Sequence, residues 1–202
     1  KDYFRLMEEI AVACSINGGA ATLDKIRDRI HSAGRKEPLE SLANTFSCSD
    51  PLLGLMATCF IQSKWTSTGE RVFSFSFPSL QKYLIARCLS DTAWQMRVQT
   101  MRHEDSKGDE GWNLSQALLK WVQLTGPILL DSQTVDLLKG EEKRFHHDPE
   151  AIKTLQIRFG LFLSEAVKNK LPVREALTEM DIEATPEILD KYFANTTIAL
   201  LA

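Results

Sequence analysis

Residues 59–89 constrain the fold more than any other stretch, because two strand patterns there lead directly into a helical one. In residues 71–77 phenylalanine alternates with serine, and a period of two places the aromatic side chains on one face of a strand. Those aromatic residues are Phe73, Phe75 and Phe77. Residues 59–65 form the preceding strand pattern, and the short loop between the two contains Gly69, as hairpin loops often do. We therefore predict a β-hairpin with one aromatic face.

The helix after the hairpin is predicted to begin at Pro78, because proline fixes φ near the helical value and lacks the N–H that a first turn leaves unpaired. Residues of one helical face then recur at intervals of three and four. They are Leu80, Tyr83, Leu84, Arg87 and Cys88. A hairpin that follows several short helices and leads straight into another helix is the arrangement of a winged helix, which we predict over residues 1–91.

Helical patterns cover most of the chain before the hairpin. We predict helices over residues 2–15, from a cap at Thr22, from Pro38, and over residues 50–58, where Asp50 precedes a first-turn proline. This last helix reads LLGLMATC from residue 52 and has no Arg, Lys, Asn or Gln to contact base edges. Its composition predicts a buried helix and argues against DNA recognition.

The chain after residue 91 is predicted to be an α-helical, superhelical-type region over residues 92–202. A new helix is expected to begin at a cap on Asp91 or Thr92, and the polar residues 103–112 are expected to be a boundary or an exposed loop. Further helices are predicted to start near residues 113, 131, 148, 172 and 185, with the one from 148 the longest. The apolar tail, residues 196–202, is predicted to be a strand. The predicted fold class is therefore mainly α, a winged-helix domain with one β-hairpin followed by this helical region.

Composition bounds the function classes. The chain has 202 residues, 44% hydrophobic and 25% charged, with a net charge of −3 that argues against a general nucleic-acid binder. Its four cysteines lack CxxC spacing and lie beside apolar runs, so we expect buried reduced thiols. No run of about 18 apolar residues is present, and we expect no membrane contact and a cytoplasmic location. Because the first residue is Lys1, we expect a piece of a longer chain.

The sequence predicts no catalytic, cofactor-binding or metal-binding residues. It contains no GxxxxGK[ST] phosphate-binding loop. His146, His147 and Asp148 are consecutive and so make a poor metal site, while His31 and His103 lie in no catalytic signature. A phenylalanine row in a hairpin can stack bases, but it is more often the core side of the hairpin. A modest basic patch around the second helix, Lys25, Arg27, Arg29, Arg35 and Lys36, is diluted by acidic neighbours.

Residues 52–89, LLGLMATCFIQSKWTSTGERVFSFSFPSLQKYLIARCL, resemble the winged-helix region that follows the nucleotide-binding core in NACHT-type STAND NTPases, relatives of the NLR proteins. Phe73 and Phe75 take the family's two strand positions, Leu80 and Gln81 its helix start, Tyr83 and Leu84 its Tyr-Leu pair, and Ala86 its second small residue. The resemblance is good over residues 50–90, extends to residues 3–48 only in pattern, and covers residues 91–202 only in that a helical region is expected there.

Two positions depart from the family's pattern. The histidine that in many members reaches the phosphate of the bound nucleotide is Phe77 here, and the family's glutamate is Lys82. A phenylalanine neither donates a hydrogen bond to a phosphate nor titrates near neutral pH. No nucleotide-binding residue is therefore carried over to position 77.

The resemblance implies a regulatory and interaction module of a signalling or defence NTPase. Such a module would hold the inactive state, relay a trigger to a nucleotide-binding core elsewhere in the protein, and take part in self-assembly or meet a protein trigger. ATP or ADP would bind in the full-length protein, and no cofactor in this chain. The alternatives are a DNA-binding winged-helix regulator of the transcription type with a helical dimerisation region, and a small enzyme with an inconspicuous site.

Overall fold

The computed structural model describes residues 2–33, 40, 50–57, 60–141 and 149–202. Several sequence predictions lie outside these residues. They are the helix from Pro38, Arg35 and Lys36 of the basic patch, Cys48 and Cys59, and the run His146, His147 and Asp148. Within the described residues the chain is mainly helical, with one three-stranded antiparallel sheet. It divides into two compact units, Lys1–Cys88 and Leu89–Ala202.

The first unit alternates helices with the strands of the sheet. In chain order its described elements are α1 (Asp2–Ile16), β1 (Ala21–Thr22), α2 (Leu23–Ser32), α3 (Pro51–Met56), β2 (Ile61–Trp65), β3 (Arg71–Phe75) and the start of α4 (Pro78–Asp105). Thr22 caps α2, and its side chain accepts a hydrogen bond from the Lys25 N–H, as its position before the apolar pattern predicts. The core of this unit includes Leu6, Ile10, Ile26, Ile30, Leu52, Phe73, Phe75 and Leu84.

The sheet has the order β1-β3-β2, and both pairs are antiparallel. The predicted hairpin is present, with Ile61 opposite Phe75 and Trp65 opposite Arg71. The prediction of a hairpin alone was incomplete, because Ala21 of β1 pairs with Phe73. A two-residue strand is too short to show a period of two in sequence, which is why β1 was missed.

The phenylalanine row is shorter than predicted. β3 ends at Phe75, and Phe77 is 56% exposed, whereas Phe73 and Phe75 are each 4% exposed. The carbonyl of Phe77 accepts hydrogen bonds from the N–H groups of Leu80 and Gln81 at 3.0 and 3.3 Å. Phe77 is thus already part of the start of α4, so the strand's alternation no longer sets the direction of its side chain.

Helix α4 continues through the position where a break was predicted. It runs for 28 residues, Pro78–Asp105, so it and not the helix from residue 148 is the longest in the described part of the chain. Leu89, Ala93 and Met96 are buried and continue its apolar face past the expected caps at Asp91 or Thr92. The boundary between the two units lies within α4, as does the predicted boundary at residues 91/92.

The second unit consists of helices. After the end of α4 these are α5 (Leu114–Thr125), α6 (Ser132–Glu141), α7 (Pro149–Asn169), α8 (Val173–Glu179) and α9 (Pro186–Leu201). The predicted strand over residues 196–202 was wrong. Thr196 and Ala199 are buried on α9, and the Oγ1 of Thr125 on α5 donates to the Oγ1 of Thr196 at 3.0 Å. Packing of a helical face against α5 outweighs the β propensity of these residues.

Candidate functional site

The residues of the family-like motif lie on β3 and the first two turns of α4. Phe73, Phe75 and Leu84 are buried, while Leu80, Gln81 and Tyr83 are partly buried. Phe77 alone of these motif positions is exposed. The motif therefore divides into a packing part, which faces the core of the first unit, and one apolar side chain at the junction of β3 and α4 that faces outward.

The packing part of the motif rests on α1. The Gln81 side-chain Nε2 donates to the Ala11 carbonyl at 3.4 Å, and the Cys14 Sγ donates to the Phe73 carbonyl at 3.4 Å. Both bonds join the motif to backbone or thiol groups of one buried helix. These two hydrogen bonds hold β3 and the start of α4 against α1.

Two adjacent carboxylates on α1 reach different neighbouring helices. Glu8 accepts a hydrogen bond from the Arg87 Nε on α4 at 2.9 Å, and Glu9 accepts one from the Arg29 Nε on α2 at 2.8 Å. Each carboxylate side chain is only 5% exposed. Breaking such a pair by removing one partner costs about 3–5 kcal/mol, because the other charge remains buried. Glu8 and Glu9 thus tie α1 to its two neighbours.

Arg87 sits among aromatic rings as well as beside Glu8. Its guanidinium carbon lies 5.3 Å from the ring centre of Phe4 and 5.9 Å from that of Tyr83, within the range of cation–π attraction. Burial works against the charged form, but interaction with Tyr83 and Glu8 outweighs it and raises the pKa of Arg87. Sequence reasoning placed Arg87 on the packing face of α4 and did not foresee its ion pair. The signal was present, because Glu8 and Glu9 interrupt the otherwise apolar run of residues 6–14 and need partners when that helix is buried.

The helix before the hairpin is buried as predicted. Leu52, Leu55 and Met56 of α3 are each at most 5% exposed. Asp50 caps the helix, its Oδ1 accepting from the Leu52 N–H at 2.9 Å, and its Oδ2 accepts from Arg27 at 3.1 Å. Of the large apolar side chains here, Leu53 is exposed. A helix with this surface carries none of the side chains that read base edges.

The basic patch on α2 is largely neutralised in the described residues. Arg27 pairs with both Asp24 and Asp50, at 3.0 and 3.1 Å, and Arg29 pairs with Glu9. A guanidinium group that is paired with a carboxylate of the same chain contributes less to phosphate binding, because the ion pair must first be broken or shared. The structure therefore weakens the argument for α2 as a nucleic-acid surface.

The free end of the hairpin presents an exposed indole. Trp65, the last residue of β2, is 73% exposed. The loop closes with a hydrogen bond from the Thr66 N–H to the Glu70 carbonyl at 2.8 Å, and Gly69 adopts a φ of +79° that favours glycine. Arg71 donates to the Ser63 hydroxyl across the strands at 3.1 Å. The tip is thus well ordered by its own bonds and carries one large aromatic side chain outward.

Titratable and metal-binding groups form no recognisable centre in the part of the chain that the structure describes. No group of three or more His, Cys, Asp or Glu residues there is placed to hold a metal ion. His31 lies at the exposed end of α2 in the first unit, and His103 lies on α4 in the second. Cys14 and Cys88 are buried reduced thiols, as predicted for them, and burial raises the pKa of the Cys14 thiol to about 12. No described helix is long and apolar enough to cross a membrane.

The candidate site that remains is the outward-facing base of the hairpin. The Ser76 N–H donates to the Phe60 carbonyl at 2.8 Å, which brings the backbone of residue 60 beside the start of α4. Phe60 is 38% exposed and Phe77 is 56% exposed, so two aromatic side chains lie partly in solvent near this point. We call these two residues the hairpin-base pair.

Comparison of the chain with protein-family models, curated protein sequences and solved structures found no match.

Proposed function

We propose that the chain is a regulatory and interaction module of a NACHT/STAND-like signalling or defence NTPase. The observation that carries the proposal is the order of elements in the first unit. A helix, a short strand, further helices, a hairpin and a helix follow one another, with the sheet order β1-β3-β2. This is the order expected of a winged helix, and the motif that resembles the family lies on β3 and the start of α4. In this reading the first unit is the winged helix and the second begins the helical region.

The exposed Phe77 gives the module a mechanism that differs from phosphate sensing. Phe77 occupies the position of the family's phosphate-contacting histidine. Its side chain is 56% exposed and has no hydrogen-bonding group. In the intact protein the hairpin-base pair packs against the nucleotide-binding core in the inactive state. Nucleotide exchange then acts by changing the shape of the core surface that this pair meets, which biases a two-state equilibrium.

The second unit supplies surfaces through which a trigger or a second copy acts. Several large apolar side chains on its last helices are exposed. They are Val167, Phe193, Ile198 and Leu201. Exposed apolar side chains grouped on neighbouring helices favour protein contacts. ATP or ADP would bind in the nucleotide-binding core of the intact protein and not on this chain. The proposed module acts in the cytoplasm, and its second unit forms a superhelical stack of helices.

Crosslinking in the intact protein tests the proposal. A photoreactive phenylalanine analogue at position 77 is expected to crosslink to the nucleotide-binding core in the ADP state and to lose that crosslink when the protein is activated. The same analogue at position 65 is the matched control, because Trp65 is also aromatic and exposed. No crosslink from position 77 in either nucleotide state would refute the proposed contact. A coding sequence that lacks a phosphate-binding GxxxxGK[ST] loop upstream of Lys1 would refute the whole reading.

The DNA-binding alternative rests on the outer face of the hairpin, where Lys64, Trp65 and Arg71 are exposed. Binding through this face would be salt-dependent and weakened by Lys64→Glu. Lys25→Glu tests the patch on α2 in the same assay. Arg29 is unsuitable for this test, since its pairing with buried Glu9 would make a charge reversal destabilising. Absence of DNA binding at low salt would remove this alternative.

A further inference from the structure

Strand β2 lies at an edge of the sheet, because the strand order is β1-β3-β2. Ile61 is buried, whereas the next four residues, 62–65, are all exposed. Successive residues of a strand point to opposite faces, so beyond Ile61 neither face of β2 is covered. The largest of these side chains is Trp65, which is 73% exposed. Most of β2 is therefore an open edge of the first unit.

The hydrogen bonds at the two ends of the hairpin show which backbone groups of β2 point away from β3. The Ser76 N–H donates to the Phe60 carbonyl and the Thr66 N–H donates to the Glu70 carbonyl, each at 2.8 Å. In an antiparallel pair, hydrogen-bonded and non-hydrogen-bonded positions alternate. The even positions of β2 therefore bond to β3, and the odd positions turn their N–H and C=O groups outward. These outward positions are Ile61, Ser63 and Trp65. Among the described residues, no backbone group bonds to them on the outer side.

The one charged residue of β2, Lys64, restricts which strand can pair with this edge. An unpaired edge is a template for another strand, and lysine on an edge normally opposes pairing. A second β2, antiparallel about a twofold axis through Ser63, would place Lys64 opposite Gln62 of the second copy. The two lysines would then be diagonal neighbours, roughly 7–8 Å apart, whereas an axis through Lys64 would set them directly opposite each other. Only the axis through Ser63 uses all five residues of both strands.

We propose that β2 pairs antiparallel with β2 of a second copy of this chain, about a twofold axis through Ser63. The outward backbone groups fit this register. Ser63 bonds to Ser63 of the second copy and Ile61 bonds to its Trp65, and these are the positions that bond outward in both copies. The contact is isologous and joins two three-stranded sheets into one sheet of six strands.

The contact is small, and its size sets the affinity. Five paired residues bury much less than the roughly 800 Å² per partner of a stable interface, so the dimer is weak and depends on concentration. The exposed Trp65 ring lies beside Ile61 of the second copy and loses part of its contact with water. The pairing rests on the sheet of the first unit alone and is independent of the proposed signalling role.

Sedimentation equilibrium of the 202-residue protein tests the pairing, with an expected dissociation constant of roughly 0.1–1 mM. Gln62→Glu places a carboxylate opposite each Lys64, so the dissociation constant should fall roughly three- to tenfold. Gln62→Lys places like charges opposite each other and should raise the dissociation constant by at least as much. Adding Lys64→Glu to Gln62→Lys restores opposite charges and should bring the dissociation constant back to the parent value or below. Both positions are exposed, so these changes leave the fold intact.

Ser63→Pro removes only an outward N–H, so it keeps the bonds between β2 and β3 and should abolish dimerisation. Ser63→Ala is the matched control. It loses the hydroxyl that accepts from Arg71 but keeps the N–H, and it should dimerise as the parent does. In nuclear magnetic resonance spectra of the parent, the amide resonances of residues 61, 63 and 65 should move downfield with rising concentration, and those of residues 62 and 64 much less.

Three results would overturn the proposal. One is the absence of self-association up to about 2 mM, which would leave an extended segment of another protein as the occupant of this edge. Another is a dimer whose dissociation constant responds to neither Gln62 substitution, because the copies would then meet through another surface. The third is an equal movement of the amide resonances at the even and odd positions of β2, since only the odd positions bond outward.

Discussion

Phe75 and Phe77 are two residues apart in sequence but differ in environment, and substituting each by alanine tests where the strand ends. Phe75 is 4% exposed and Phe77 is 56% exposed. Both are phenylalanines in the same segment, so the change in chemistry is identical and only the surroundings differ. Phe77→Ala is thus the matched control for Phe75→Ala.

The magnitude follows from burial. Removing a buried phenylalanine ring loses its transfer free energy and leaves a cavity, which together cost about 3–5 kcal/mol. Phe75 also faces Ile61, which is buried, across the β2–β3 pair, so the loss falls on the buried face at the base of the hairpin. Phe77→Ala removes a ring that is more than half in solvent, and surface changes of this kind stay within about 0.5 kcal/mol.

Urea unfolding followed by circular dichroism measures both changes, with the transition of the first unit fitted separately if the two units unfold apart. The expected result is a large drop in the free energy of unfolding for Phe75→Ala and almost none for Phe77→Ala. A loss below about 1 kcal/mol for Phe75→Ala would mean that its ring is not part of a packed core. A loss above about 2 kcal/mol for Phe77→Ala would show that this ring is buried and that the hairpin-base pair is not a surface.

Three further tests are informative: a pair of glycine substitutions, the reactivity of Cys14, and the substitution of Phe77 by histidine. In Gly126→Ala the new Cβ would lie 2.1 Å from the Tyr192 ring, so we expect unfolding free energy to fall by about 1–3 kcal/mol. In Gly160→Ala the new Cβ would meet nothing within 4 Å, so we expect the free energy of unfolding to rise by up to about 1 kcal/mol in the same urea assay. Equal effects at the two glycines would contradict the close contact between Gly126 and Tyr192. Because burial raises the pKa of Cys14 from 9.0 to about 12, its stabilising contribution is complete below pH 9 and is lost as pH rises from 9 to 12. Peptide mass spectrometry should therefore find Cys14 alkylated far more slowly by iodoacetamide at pH 8.5 in the folded than in the urea-unfolded protein, and equal rates would refute its burial. Phe77→His in the intact protein should raise nucleotide affinity about tenfold if residue 77 lies beside the phosphates, and unchanged affinity in a binding titration would place it away from them.

The hairpin and the start of α4 were predictable because their signals are local. A period of two, a glycine-containing loop and a proline at the first helical turn each depend on a few neighbouring residues. Strand β1 has no such signal, since Ala21 and Thr22 become a strand only by pairing with β3. The continuity of α4 was also hidden. Asp91 and Thr92 resemble helix caps in sequence, and only the burial of the flanking face shows that the helix continues.

The candidate sites were less predictable than the fold, because each depends on contacts between residues distant in sequence. The Glu8–Arg87 pair joins α1 to α4 across 79 positions. The lack of an acceptor for the buried Nε1 of Trp121 among the described residues is likewise a property of how the helices pack. The sequence predicts only that Trp121 lies on the helix that starts near residue 113. A buried tryptophan without a partner is recognisable once its neighbours are in place.

Phe77 also bounds how strongly the proposed module can influence a switch. A phenylalanine offers roughly 200 Å² of surface, so covering the 56% that is exposed would bury about 110 Å². At about 25 cal/mol per Å² this is worth nearly 3 kcal/mol, or about a hundredfold change in an equilibrium between two states. A complete shift from 1:99 to 99:1 needs about 5.5 kcal/mol. Phe77 alone is therefore insufficient, and a contact that also covers Phe60 and further apolar surface is required if the hairpin base is to hold one state.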